Sequence, residues 1–339
     1  MPQPSILVLY NKPLLPRNHP AAESEHSVVD VANEIARILA GADFRVTPFA
    51  LGPDPARLWA ALKKQRPDVV VNLFEGNHYD PESESHVAGL LEWSGIPYTG
   101  SPPATLSLAR SKPTVKMLLK GAGLPTADFI TVADLPLPKC SLQFPVIVKP
   151  AAQDGSVGVH QSSVCVHLAK VKQSVRHVLE TYGPPALVEE YIPGRELNVA
   201  LVELPDLRAL PPTEIALPKP KPGAWPILTY DGKWQPGSPM YEALSPHYPA
   251  DLSAARTRKL QDLAKRAFRL VGCRDYARVD FRVNEKGQPF ILEVNPNPEI
   301  RESAGFACGL GSAELAHEQF VIDLVRHAMQ RKSRSEPEA

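Results

Sequence analysis

A cation, two carboxylates and an amide stand at alternate positions in the segment 276–298, YARVDFRVNEKGQPFILEVNPNP: Arg278 and Asp280 before a turn, Glu293 and Asn295 after it. The turn is Asn284-Glu285-Lys286-Gly287, whose Asn and Gly tolerate the backbone angles of a tight reversal, so the segment reads as a β-hairpin. If Val283 faces Gln288, then Arg278 lies opposite Glu293, Asp280 opposite Ile291 and Tyr276 opposite Asn295. Strand side chains alternate with period two. All four polar groups then leave one face, while Val279, Phe281, Phe290 and Leu292 leave the other. Hard oxygen ligands in this combination suit Mg²⁺, which takes one or two carboxylates and completes its shell with phosphate oxygens and water; they leave Arg278 to hold an anion beside the metal. The alternative is a solvated face carrying a cross-strand Arg-Glu pair. Asn295-Pro296-Asn297-Pro298 favours the first reading, because it ends the strand in a loop able to bend over a ligand.

Two further stretches carry chemistry. Residues 151–158, AAQDGSVG, follow Lys149 at a strand end; small residues there expose backbone N–H groups that can wrap phosphate oxygens, though such loops are often only turns. Residues 229–234, TYDGKW, put Lys233 and an aromatic on a turn that reads either as a mobile flap over a site or as a loop covering a core edge.

The elements that must position these groups follow from the periodicity. A buried strand over 6–10 leads into a long Pro-containing loop over 11–25. Ser27 is expected to cap a helix with Asp30 at the capping-box position, Val28, Val31, Ile35 and Leu39 on its apolar face, and Gly41 at its end. Helices over 55–65 and 84–94 flank a buried strand over 68–74, which predicts a doubly wound α/β domain with Glu25 and Glu75 at the edge where ligands collect. Farther on, the pattern predicts helices over 102–109, 112–121, 169–182, 256–271 and 312–330, with strands over 144–149, 187–192 and 195–202. The strand over 195–202 gives Glu196 a ligand-facing option. Residues 205–249 show no clear period, and 331–339 are expected to be disordered.

The 339-residue chain has 37 basic and 37 acidic side chains, so nothing electrostatic points to nucleic acid or an anionic membrane as partner. The apolar run before Asn11 is too short for a signal peptide and no stretch reaches membrane-spanning length, which predicts a cytosolic protein. Cys140, Cys165, Cys273 and Cys308 lack metal-site spacing and read as free thiols, buried rather than bridged.

IPYTGS (96–101), GLPT (123–126), FPVIVKP (144–150), LVEEYIPGREL (187–197), YARVDFR and LEVN occur in an order and spacing that resembles the ATP-grasp superfamily, specifically the D-alanine-D-alanine ligase group, from about residue 72 to 295. The resemblance implies a three-domain α/β fold: an N-terminal doubly wound domain (1–102), then central (103–193) and C-terminal (194–330) ATP-grasp subdomains with ATP between their sheets. It implies that Lys112 and Lys149 contact the nucleotide, Ser156 closes on the phosphates, Glu189, Glu190, Tyr191, Ile192 and Leu292 line the base, and Glu196 takes the ribose. Asp280, Glu293 and Asn295 would bind two Mg²⁺ ions, with Mn²⁺ as a substitute; Arg278 and Lys233 would meet the phosphoryl group and Glu25 the first substrate's ammonium. The activity implied is joining a carboxylate to an amine through an acyl phosphate, with amino acids or peptides as substrates and a homodimer as assembly. A kinase that stops at the phosphorylated product, and an ATP-binding protein without turnover, are the alternatives.

The sequence departs from the group where amino acids would bind. Gly155 replaces the first phosphate-loop serine and Trp234 the flap tyrosine, so their usual hydrogen-bonded triad with a glutamate is not expected to form. Glu75 stands for a histidine, NKPLLPRNHP replaces a glycine-rich start, and Asn297-Pro298-Glu299-Ile300 brings a carboxylate to a small-residue turn. These changes spare the nucleotide and metal set, which predicts retained ATP chemistry and a shifted substrate, such as a cationic amine met by Glu75 and Glu299.

Overall fold

The structure, a computed structural model, describes residues 3–19, 22–76, 80–139, 141–220 and 222–331. Cys140 and the predicted tail beyond Arg331 lie outside these residues.

Three sheets organise the chain. In the first, β1 (Ser5–Asn11) lies between β2 (Arg45–Leu51) and β3 (Val69–Leu73), all parallel. The crossovers are α1 (Ala22–Gly41) and α2 (Ala56–Gln65), and α3 (Ser83–Ser94) follows β3. β1 and β3 read as continuous apolar runs because both faces are covered. α1 starts five residues before the predicted cap: Ser27 lies inside the helix, and Glu25 and His26 belong to its first turns. The polar run preceding Val28 extends the helix without contributing to its apolar stripe, so periodicity alone could not find the start.

α4 (Pro103–Arg110) and α5 (Lys112–Gly121) lead to the second sheet, formed by β4 (Phe129–Val132), β5 (Val146–Pro150), β6 (Val164–Cys165) and β7 (Ala186–Glu190), in the antiparallel order β4-β7-β5-β6. The helix α6 (Leu168–Tyr182) buries Val171, Val175 and Val178 against it, a spacing of four and three that keeps them on one stripe.

The third sheet has β8 (Arg195–Glu203) at its heart, paired with β9 (Leu207–Ala209), β10 (Thr213–Ala216) and, after two short helices α7 (Tyr230–Trp234) and α8 (Pro239–Ala243), extended by β11 (Ser245–His247). α9 (Ala254–Val271) then feeds the predicted hairpin, β12 (Tyr276–Val283) and β13 (Pro289–Asn295). On one face, Val199, Val279, Phe281, Ile291 and Val294 pack with Leu260, Ala264 and Phe268 of α9. Two helices close the described residues: α10 (Gly305–Ser312), which was not predicted, and α11 (His317–Met329), within the predicted 312–330, with Glu314 in left-handed backbone between them (φ 55°). Tyr276, Phe306 and Phe320 meet edge-on or tilted, with ring centroids 5.2–6.0 Å apart, inside a core that also holds β1, β3 and α1. The first and third sheets therefore share one apolar interior.

The hairpin register differs from the prediction. Arg278 lies opposite Asn295 and Asp280 opposite Glu293, after which a bulge sets Phe281 against Ile291. The bulge absorbs Leu292, so Ile291 and Val294 occupy the core face while Phe290 and Leu292 are only partly buried. The four polar groups keep their common face, because two residues on one strand balance the shift.

Candidate active site

The polar face of β12 and β13 gathers the predicted ligand set. Arg278 donates twice to Asp280, from Nε to Oδ1 at 2.7 Å and from Nη2 to Oδ2 at 2.8 Å. The Asn295 amide donates to Asp280 Oδ2 at 3.0 Å and to Glu293 Oε1 at 3.4 Å. Two carboxylates and an amide oxygen are thus within one amide's reach. This donor set fits a hard divalent cation completed by phosphate oxygens, although the described residues contain no cluster of three His, Cys, Asp or Glu that would hold a metal unaided. Burial opposes ionisation of Glu293, but Lys112, Lys149, Arg278 and Lys233 outweigh it and hold the carboxyl down at about 2. Burial pushes Asp280 up, and the charge of Glu293 adds to that against the pull of Arg278.

A cavity of about 120 Å³ lies between the second and third sheets. Lys112, Lys149, Ser156, Glu189, Glu190, Tyr191, Ile192, Glu196, Asp280, Leu292 and Glu293 all line it. Their local contacts refine what the sequence suggested. Lys149 Nζ is 2.6 Å from Glu189 Oε1, and Lys116 Nζ, fully buried, is 2.7 Å from Glu189 Oε2. Burial would raise Glu189, but the two ammoniums hold it at about 2. Its side chain is therefore a buried counter-ion rather than a free hydrogen-bonding group. Lys112 Nζ lies 2.8 Å from Asp154 Oδ1, donates to the Gln153 carbonyl and stands 3.9 Å from Glu293, contacts that outweigh the cost of its burial and raise its pKa.

Arg282 was not singled out from the sequence, yet it also lines this cavity and is 4% exposed. Its guanidinium donates to Glu196 (3.2 Å), the Tyr191 hydroxyl (3.2 Å) and the carbonyls of Ile192 and Pro226 (both 3.1 Å). The alternation that selected Arg278 and Asp280 reaches Arg282 two residues on; that was the available signal.

A second cavity, about 370 Å³, adjoins the first through Asp154 and Gly155. Lys233, Trp234, Arg278 and Asn295 line it with Glu75, Glu84, Arg110, Glu299 and Arg301. Glu84 pairs with Arg110 at 3.0 Å and Glu299 with Arg301 at 2.9 Å. Burial raises Glu84 to about 7, against the pull of Arg110. Glu25, in contrast, lines neither cavity. Its Oε2 accepts the Leu15 N–H at 2.8 Å, His26 Nε2 lies 2.9 Å from the Leu15 carbonyl, and both tie down the loop after β1.

The flap and the phosphate loop touch despite their altered residues. Trp234 Nε1 donates to the Gly155 carbonyl at 2.9 Å. Gly155 has φ +62°, and a Cβ there would sit 3.4 Å from Trp234 Nε1, so the glycine serves both the left-handed turn and the indole resting on it. Thr229 caps the short helix α7 by accepting the Gly232 N–H, which presents Lys233 and Trp234 side by side.

Known proteins resemble this chain in sequence and in fold. Residues 118–326 match the family model described as D-ala D-ala ligase C-terminus. The chain is 35% identical over 284 residues to a D-alanine–D-alanine ligase of Gluconobacter oxydans, covering 80% of this chain and 85% of that protein. It is 33% identical over 268 residues to an uncharacterized protein, y4sG, of Sinorhizobium fredii, covering 78% and 75% respectively. Its fold superposes on a crystal structure of D-alanine–D-alanine ligase from Bacillus anthracis complexed with ATP, with TM-score 0.73 and 19% identity over 96% of this chain and 97% of that one.

Proposed function

The chain belongs to the D-alanine–D-alanine ligase family, and from that premise we propose that it joins a carboxylate to an amine, with ATP activating the carboxylate as an acyl phosphate. The observation that carries the reading is the convergence of Arg278, Asp280, Glu293 and Asn295 on one face, bridged by the Asn295 amide. We read the three sheets as three domains, with the nucleotide between the second and third.

In this reading Tyr191, Ile192 and Leu292 contact the base, Glu196 the ribose, and Lys112, Lys149, Lys233 and Ser156 the phosphates. Asp280, Glu293 and Asn295 would hold two Mg²⁺ ions, whose charge would offset that of the phosphates. Arg278 and Lys233 supply donors where charge spreads over the transferring phosphoryl group, and the low-dielectric cavity strengthens both. The carboxylate oxygen attacks the γ-phosphorus, ADP leaves, and the acyl phosphate is then open to an amine. Small amino acids or peptides are the substrates by analogy with the relatives; a dimer is inferred on the same ground. None of the described helices is long and apolar enough to cross a membrane.

The test is a panel of D- and L-amino acids and short peptides with ATP and Mg²⁺, measuring ADP, free phosphate and product mass. Equimolar ADP and phosphate with an amide product is the expected result. Phosphate retained on the product would identify a kinase, and nucleotide binding without ADP would overturn the enzymatic reading.

A further inference from the structure

Glu75 follows β3, at the sheet edge that faces the larger cavity. Its N–H donates to the Asn11 side chain at 3.4 Å, and its carboxylate opens into the lumen. Apart from Lys233, the other charges lining that space are matched: Glu84 by Arg110, Glu299 by Arg301, Asp154 by Lys112 and Arg278 by Asp280. Among the described residues, Glu75 has no hydrogen-bond or ion-pair partner for its carboxylate. Lys233, whose ammonium lies 5.1 Å from the Trp234 ring centroid, has no ion-pair partner among the described residues, and on the reading above it is taken by the phosphates of ATP. The Glu75 carboxyl then faces the like charges of Glu299 and Glu84 without a described partner, and a cation or a proton would relieve it.

An amine substrate brings both. It arrives as an ammonium, which has no lone pair and cannot attack an acyl phosphate. We propose that Glu75 receives the ammonium of the amine substrate and takes from it the proton that frees the nucleophile; this rests on the ligase reading. The ammonium and the carboxylate become an amine and a carboxylic acid. Nitrogen attacks the acyl carbon, the bond from that carbon to the phosphate oxygen breaks, and its electron pair leaves with phosphate. The phosphate takes the second N–H proton, and Glu75 returns its own proton to water when the site opens.

The groups around Glu75 suit this role. Protein surrounding the lumen raises its pKa, Glu299 from the segment after β13 and Glu84 from α3 add to the rise, and Lys233 from α7 and Arg301 oppose it, for a net value of about 8. Tyr276, from β12, is buried and stays protonated. A carboxylate whose proton affinity approaches that of an amine is a better base than an ordinary one. Glu75 is solvent-exposed, so water in the lumen offsets part of this rise and leaves the carboxylate available as a base.

The experiment follows D-alanine as carboxylate with ATP and two nucleophiles: D-alanine, which is an ammonium at neutral pH, and hydroxylamine, which is mainly neutral and needs no base. Glu75→Gln keeps the size and removes the base. It is expected to form hydroxamate within about twofold of the wild-type rate, while amide formation falls by about 100-fold or more. The loss should shrink as pH rises towards the amine's own pKa. Hydroxamate formation also reports that the variant is folded. Equal losses with both nucleophiles, or no loss with D-alanine, would overturn the proposal. If D-alanine is not a substrate, the carboxylate and amine that the panel identifies take its place; wild-type protein forming neither product with any member of the panel would instead sink the ligase reading, and this proposal with it.

Discussion

Individual side chains here act through what they leave unpaired. Glu189 is 2% exposed and counters two ammoniums, one of them fully buried. Glu189→Gln would strand those charges, and about 3–5 kcal/mol of stability is expected to go, measurable as a lower denaturant midpoint. Its folded pKa, about 2, lies below the ordinary carboxylate value. The pair's contribution is therefore complete above that ordinary value and is lost as pH falls through it towards 2, so wild-type stability should drop across this window and the variant's should be flatter. Arg282 works by holding Glu196, the Tyr191 hydroxyl and the Ile192 carbonyl in place. Arg282→Met is expected to raise the KM for ATP by about tenfold, the worth of a charge-assisted hydrogen bond, with little change in the KM for the carboxylate substrate.

At the scale of elements, legibility depended on period. The hairpin β12–β13 could be read because its alternation is strong, but its bulge could not, since a single absorbed residue leaves no mark in an apolar run such as Phe290-Ile291-Leu292. β2 went unread because its edge position leaves it half-exposed and Pro48 interrupts it. β4, β6 and β9–β11 are two to four residues long, too short to show a period. α10 went unread because its residues are small and apolar, with no polar face to give a period, and the last helix was placed from Ser312 although α11 begins only at His317. The common face of Arg278, Asp280, Glu293 and Asn295 survived these errors because it needs only parity within each strand. Glu25 lines neither cavity, and its carboxylate accepts the Leu15 N–H instead, a local contact that no periodicity announces. The flap's contact was equally hidden, as Trp234 and Gly155 lie 79 residues apart. Trp234→Phe removes that one hydrogen bond, about 1 kcal/mol, and is expected to raise the KM for ATP about fivefold while leaving the thermal midpoint within a degree or two.

Across the whole molecule, one buried carboxylate joins distant parts. Asp275, fully buried, accepts the Gly100 N–H at 2.8 Å and both ends of the Arg331 guanidinium, which also donates to the Tyr98 carbonyl. Arg331 was read as the first residue of a disordered tail; instead it fastens the end of α11 to the residue that opens β12. Ser101 and Asn297 lie beside this junction, joined at 2.8 Å, so the strap also braces the loop that leaves the metal set. Arg331→Ala leaves Asp275 without its cation, with an expected loss of about 3 kcal/mol and a midpoint several degrees lower in a thermal scan. The remaining consequence concerns the indole lying on the Gly155 peptide. Of the four tryptophans, Trp234 alone sits where flap and phosphate loop meet, so the protein carries its own optical gauge of that seam. Adding nucleotide should change its emission, and the change should vanish when Trp234 is replaced by phenylalanine.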